Sequence, residues 1–135
     1  MEESNIDTIG PHEGRELALM MAGTKPLSMF VEEVPAQSEY FPEDQFDALV
    51  AQGKLKKFVS IETSPVPNGV DRNIRRVLYS LPDQEWRINA ILSVLAMYKS
   101  LGGFRPDLER MTGDLLGYAH GDVERFIEAF GSAHR

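Results

Sequence analysis

The segment from Pro82 to about Leu101 has the clearest pattern in the sequence, and it predicts one long helix. Proline leads the segment, acidic residues occupy its first turn, Lys99 lies in its last turn, and Gly102 and Gly103 end it. Apolar residues recur at helical spacing along one broad face: Trp86, Ile88, Ala90, Ile91, Leu92, Val94, Leu95 and Tyr98. A face this wide predicts that the helix packs centrally on a sheet.

Three shorter segments have the alternating pattern of half-buried strands. Apolar side chains alternate with other side chains in residues 27–34, 54–63 and 73–81. Residues 64–69, which separate the last two strands, contain two prolines and an Asn-Gly pair. Proline removes a backbone donor and Asn-Gly favours a turn, so this segment is a loop. We therefore predict that the second and third strands form a hairpin.

Helical spacing of apolar residues also predicts four shorter helices. They are residues 12–22, a helix that begins at Pro42 and ends at Gly53, residues 106–116, and a last helix whose N-terminus is capped by Asp122. With the strands and the long helix, these segments predict an α+β fold. We expect a small sheet of about three strands, at least partly antiparallel, covered by one long central helix and by shorter N- and C-terminal helices.

The chain has 135 residues, which is the common size of one domain and too short for two ordinary hydrophobic cores. Residues 1–10 have little periodicity and carry three acidic side chains. We expect them to form a flexible N-terminal tail, and residues 11–135 to form a single α+β domain.

Charge is distributed unevenly along the chain, whose net charge is −7. Residues 1–50 hold eleven acidic and two basic side chains, and residues 82–135 hold eight acidic and six basic ones. In contrast, residues 51–81 hold six basic and two acidic side chains. An acidic protein repels nucleic acid and anionic membranes on average, so the expected partner is another protein.

Several features indicate a cytoplasmic protein. The first residues, Met-Glu-Glu-Ser, lack the basic start and apolar run of a secretory signal. No apolar run approaches the roughly 20 residues that span a bilayer, so no membrane partner is expected. The sequence also contains no cysteine; this does not by itself fix the compartment, but it excludes disulfides, thiolate nucleophiles and thiolate zinc sites.

Six cations form a basic stripe in the predicted hairpin: Lys54, Lys56, Lys57, Arg72, Arg75 and Arg76. If the two strands pair across the proline-rich loop, we expect the six to gather at one end of the hairpin. Guanidinium groups suit carboxylate or phosphate oxygens, so the stripe predicts an anion site or a partner site. Two alternatives are that lysines protect an exposed strand edge, and that the acidic N-terminal half neutralises the stripe within the fold.

Candidates for catalysis and for metal binding are few. His120, with Asp122 two residues later, gives the one local pair among the histidines, and His120 is a weak candidate for proton transfer. A metal site needs at least three convergent ligands, so no metal is expected. No nucleophile elbow, phosphate loop or dinucleotide fingerprint is present, and no cofactor is expected.

Two apolar features suggest interfaces. Trp86 is the only tryptophan and precedes Arg87, and both residue types are enriched at the centres of protein interfaces. A core position at the junction of the helix and the sheet is the commoner role for a tryptophan, and we favour it. The last helix has an apolar face that docks either on its own domain, which we favour, or on a second copy in a homodimer.

Two function hypotheses follow. The first is a non-enzymatic binding or regulatory protein that engages another macromolecule through segregated acidic and basic surfaces. The alternative is a small enzyme or ligand-binding domain in which the basic stripe holds an anionic small molecule and His120 handles protons. A deep pocket that contains His120 and the arginines would favour the alternative.

Overall fold

The computed structural model describes residues 14–34, 41–64 and 69–133. The expected tail, residues 1–10, lies outside the described residues. Three strands and five α-helices are present in the described part, with a 3₁₀ turn at Pro82–Gln84. In chain order they are α1 (Glu16–Met21), β1 (Leu27–Val34), α2 (Glu43–Ala51), β2 (Lys56–Ser64), β3 (Arg72–Ser80), α3 (Trp86–Leu101), α4 (Pro106–Leu116) and α5 (His120–Ala133).

The strands form one antiparallel sheet in the order β1-β3-β2. Both neighbours of β3 run against it, with Leu27 of β1 and Lys56 of β2 each opposite Ser80. The predicted α+β class, the small three-stranded sheet and the β2–β3 hairpin are confirmed. Because β3 is the central strand, β1 and β2 are the two edges of the described sheet.

Helices cover both faces of this sheet. On one face, Val77 and Tyr79 of β3 pack with Met20 of α1 and Phe46 of α2. Successive strand residues point to opposite faces, so Leu78 faces the other way. On that second face, residues of α3 and α4 form the larger core cluster around the strands: Leu27, Leu78, Ile88, Ile91, Val94, Leu108, Leu115 and Leu116.

The prediction of one long central helix is not well matched. At 16 residues, α3 is the longest described helix, but it shares its face of the sheet with α4. Its broad apolar surface is explained by these two contacts, since one side of α3 meets the sheet and another meets α4. The predicted start at Pro82 is a 3₁₀ turn, and the α-helix proper begins at Trp86.

The last helix docks on its own domain, as favoured from the sequence, but it begins earlier than predicted. The carbonyl of Ala119 accepts from the amides of Asp122 and Val123, so α5 starts at His120. Asp122 is therefore not the capping residue; it lies in the first turn and accepts a hydrogen bond from Arg125. Val123 is buried against Gly113 of α4, where a Cβ atom would lie only 2.4 Å from it.

A buried lysine joins the start of β1 to the end of α4. Lys25 is only 2% exposed, and its Nζ donates to the carbonyl of Leu116 at 2.6 Å. Its ammonium group also lies 4.7 Å from the ring centroid of Tyr118. Burial lowers the pKa of Lys25 from 10.5 to about 7, against a smaller opposing effect of Glu16. A cation at a helix C-terminus interacts favourably with the carbonyls that have no partner within the helix.

The lowered pKa of Lys25 predicts that the protein becomes more stable as pH rises above 7. Between about 7 and 10.5 the unfolded chain binds this proton and the folded chain does not, so the free energy of unfolding rises with pH. We expect a gain of about 2–3 kcal/mol between about pH 7 and pH 9.5, measured by urea unfolding. This rise in the free energy of unfolding should disappear in Lys25→Met. If the variant gains as much stability with pH as the wild type, groups other than Lys25 cause the rise.

Candidate functional site

The six cations of the basic stripe are spread along the β2–β3 hairpin, with Arg75 and Arg76 opposite Ile61 and Ser60 in its middle. Lys56, at the start of β2, is opposite Ser80 at the end of β3, whereas Arg72, at the start of β3, is opposite Ser64. Because the strands run antiparallel, the lysines and Arg72 are separated by the length of the hairpin. The expectation that all six gather at one end is therefore wrong, and their binding of a partner stays a prediction.

Four of the six cations form salt bridges with carboxylates of the same fold. The pairs are Lys57 with Glu43 and Asp47, Arg72 with Glu33, Arg75 with Glu32 and Glu43, and Arg76 with Glu62. Most of these carboxylates come from the acidic N-terminal half, which thus neutralises much of the stripe. Lys54 and Lys56 have no side-chain partner within the part of the chain that the structure describes.

Glu43 is the centre of this network of charges. Arg75 donates to both of its carboxylate oxygens, at 2.9 and 2.6 Å, and Lys57 Nζ lies 2.9 Å from Oε2. The hydrogen bonds from Arg75 lower the pKa of Glu43 to about 2, and Lys57 adds to this effect while burial opposes it. A carboxylate held ionised by two cations attaches α2 to the sheet and is unsuited to acid catalysis.

Trp86 is exposed, so the favoured core position is wrong. The side chain is 55% exposed at the first residue of α3. The guanidinium carbon of Arg87 lies 4.7 Å from the ring centroid of Trp86, within the range of a cation–π contact. Helical spacing placed Trp86 on the apolar face, but at the first residue of the helix this position is not covered, whereas Ile88 and Ile91 are buried.

The exposure of Trp86 gives a stability prediction. Trp86→Ala is expected to lower the free energy of unfolding by less than about 1 kcal/mol, because more than half of the side chain is exposed and few packing contacts are lost with it. Ile91→Ala on the same helix should cost about 2–5 kcal/mol, since Ile91 is fully buried. Urea unfolding of both variants provides the comparison, and a loss for Trp86→Ala near that of Ile91→Ala would show that the ring is part of the core.

Arg87 is held in place by three hydrogen bonds. Its Nε donates to Oε1 of Gln84 at 2.7 Å, and its Nη1 donates to the carbonyls of Asp114 and Leu115 at 3.0 and 3.2 Å. These carbonyls belong to the last turn of α4, which a cation stabilises. Arg87 therefore links the start of α3 to the end of α4, and it fixes the surface against which the indole of Trp86 lies.

Arg87, which lies against Trp86, also lines an open groove of about 400 Å³, and we call it the Arg87 groove. Its lining includes Asp83 and Gln84 from the 3₁₀ turn, Arg87 from the start of α3, Asp114 from α4, and Pro26, which precedes β1. Arg87 donates hydrogen bonds to Gln84 and to the α4 carbonyls, whereas Asp83 has no hydrogen-bond partner in the described ranges. The groove therefore presents two carboxylates, those of Asp83 and Asp114, to a ligand.

His120 lies outside this groove and is exposed. Its Nε2 is 3.4 Å from Oδ1 of Asp114 on the outer surface. The groove contains neither His120 nor any cation of the basic stripe, so the pocket that would favour the enzyme hypothesis is not this one. Within residues 14–34, 41–64 and 69–133, no group of three potential metal ligands and no helix long and apolar enough to cross a membrane is found.

Sequence reasoning missed the residues that build the groove. Arg87 adjoins Trp86 and follows Gln84 by three positions, which is a local signal of a helical contact. Asp114 is 27 positions further along the chain, and no spacing rule connects it to Arg87. No protein-family model, curated protein or solved structure matches the chain.

Proposed function

We propose that the chain is a non-enzymatic binding or regulatory protein that engages a basic segment of another protein through Trp86 and the Arg87 groove. The observation that carries the proposal is a half-exposed tryptophan that lies against Arg87, which lines a groove with two carboxylates. Large exposed aromatic side chains next to a concave surface are typical of interface centres.

The rigidity of the site supports this proposal. Arg87 stacks on Trp86 and is itself tied to Gln84 and to the end of α4, so the indole has a defined supporting surface. A side chain that is ordered before binding loses less conformational entropy when the partner arrives. The site is therefore preorganised for a contact that covers the exposed side of the ring.

The charges of the groove favour a cationic partner. Asp83 and Asp114 suit the guanidinium or ammonium group of an arginine or lysine side chain. The net charge of −7 would also attract a basic partner surface over longer distances and raise the association rate. Compared with the basic stripe, whose cations are largely paired inside the fold, the groove has more free charge for a partner.

The proposal is tested by the fluorescence of Trp86, which is the only tryptophan and reports on its own surroundings. An arginine-rich peptide is titrated into the protein, and a saturable change of emission is expected. The change should weaken with added salt, because the contact joins opposite charges at an exposed site. Asp83→Asn/Asp114→Asn should weaken binding of the peptide by at least about tenfold.

Two comparisons make this titration specific. A glutamate-rich peptide of the same length should leave the emission unchanged. Glu124→Gln/Glu128→Gln on α5 removes the same charge from outside the groove and should bind the arginine-rich peptide as the wild type does. Equal binding by the Asp83/Asp114 variant, or no change of emission in the wild type, would contradict the proposed site.

A further inference from the structure

The edge strand β2 has an exposed apolar centre. Its neighbour in the sheet is β3 on one side, and no described strand pairs with its other side. The side chains of Phe58, Val59 and Ile61 are exposed, with Ile61 at 62%. Natural edges are usually protected by charges or prolines, because an unprotected edge is a template for another strand. Here the protecting lysines lie at the start of the strand, and its centre lacks them.

We propose that β2 pairs antiparallel with β2 of a second copy of this chain, about a two-fold axis at Val59. The pairing would join two three-stranded sheets into one continuous sheet of six strands, with both β2 strands at its centre. A two-fold contact of this kind is closed, since each copy offers the same strand and no edge of β2 stays open. This inference does not depend on the Arg87 groove, which lies on α3 and α4.

Backbone geometry allows the axis to pass only through a residue. In an antiparallel pair, two opposed residues either both point their N–H and C=O groups at the other strand or both point them away from it. These two cases alternate along each strand. Two identical strands can therefore oppose only residues an even number of positions apart. With the axis at Val59, Lys56 is opposite Glu62 of the second copy, and Phe58 is opposite Ser60.

Among pairings of residues within β2, which begins at Lys56, charge complementarity selects this register. Lys56 has no side-chain partner among the described residues, and it would meet a carboxylate at each end of the contact. Glu62 accepts from Arg76 of its own chain at 2.5 Å but remains half exposed, so it has room for a second cation. An axis at Ser60 instead places Glu62 against the ring of Phe58. Opposite charges across a strand pair are stabilising, and the Val59 axis provides them twice.

The other described edge lacks this complementarity. Strand β1 carries two adjacent carboxylates, Glu32 and Glu33, and no cation. Glu32 and Glu33 already pair with Arg75 and Arg72 of the same fold, so two copies of β1 would bring no new opposite charges together across the strand pair. The difference between the edges explains why the second copy is assigned to β2.

Single cysteines test the register directly, because the chain contains no native cysteine. Opposed residues in an antiparallel pair have Cα atoms about 4.5–5.5 Å apart, which a disulfide can span. Under mild oxidation, Val59→Cys should form a linked dimer at least about tenfold faster than Ser60→Cys. A residue one position from the axis is displaced from its counterpart by about 7 Å along the strand.

Val70→Cys, whose side chain lies exposed in the loop before β3, gives the rate of random collision. Circular dichroism establishes that each variant is folded. Cross-linking at Val59 no faster than at Val70 would overturn the pairing, and faster cross-linking at Ser60 than at Val59 would overturn the register.

Sedimentation of the cysteine-free chain is the second test. The wild type should be dimeric at about 100 µM. Lys56→Glu should raise the dissociation constant of the dimer by at least about tenfold, since it places a carboxylate opposite Glu62 at each end of the contact. Lys54→Glu is the matched control: it makes the same change of charge two residues away, opposite the uncharged Ser64 of the second copy, and should have little effect. A monomeric wild type, or equal effects of the two substitutions, would overturn the proposal.

Discussion

Replacement of Phe46 by alanine is expected to lower the free energy of unfolding by about 3–5 kcal/mol. Phe46 of α2 is 1% exposed, and its ring stacks on Tyr79 of β3 with centroids 4.6 Å apart. It also meets Phe30 of β1 edge to face at 5.2 Å. Removal of the ring would leave a cavity between α2 and the sheet that the surrounding aromatic side chains cannot fill.

Denaturant unfolding measures this loss, and Phe58→Ala is its control. Phe58 is also a phenylalanine beside the sheet, but it is 37% exposed on the edge strand β2. We expect a loss of less than about 1 kcal/mol at Phe58, mainly from lower strand propensity. Equal losses at the two positions would contradict the assignment of α2 to the core of the first sheet face.

Gly117→Ala is the second substitution with a large expected effect, a loss of about 2–5 kcal/mol. Gly117 follows the last residue of α4 with a φ of +82°, a conformation that alanine adopts at a cost. A Cβ atom there would also lie 2.5 Å from Cδ of Pro26 and 3.6 Å from Cα of Lys25. Since the proline ring is rigid, the backbone would have to shift where β1 meets the end of α4.

Gly53 separates these two contributions. It has a φ of +79° at the end of α2, but a Cβ atom there meets nothing within 4 Å. Gly53→Ala should therefore cost about 1–2 kcal/mol, from the backbone conformation alone. If thermal and urea unfolding give Gly117→Ala a loss no larger than that of Gly53→Ala, the close contact with Pro26 does not constrain the fold.

The secondary structure was largely predictable because its signals are local. Alternation located β1 without error and placed β2 and β3 within two residues of their observed bounds. Pro106 and Gly117 bracket α4 as the preferences of proline and glycine at helix ends require. The start of α5 was misplaced because Asp122 is a suitable cap by residue type, whereas the carbonyl of Ala119 already begins the helix.

Properties that depend on pairing were not predictable. The separation of the lysines from Arg72 follows from the antiparallel register, which the charges themselves do not encode. The exposure of Trp86 depends on which neighbours pack against the first turn of α3, and spacing along the helix does not give these. The Arg87 groove combines residues from the loop before β1, from the 3₁₀ turn and the start of α3, and from the end of α4, so no single segment carries its pattern.

The most direct test of the proposed binding function is a comparison of three immobilised baits in an extract of the native host. The wild type is expected to capture a protein with a basic segment, and added salt should release it. Leu101→Ala should capture the same protein, because Leu101 lies on the same helix as Trp86 with the same exposed fraction, 55%. Trp86→Ala, verified as folded, should lose it. Capture by Trp86→Ala at the level of the wild type would contradict a binding function centred on Trp86.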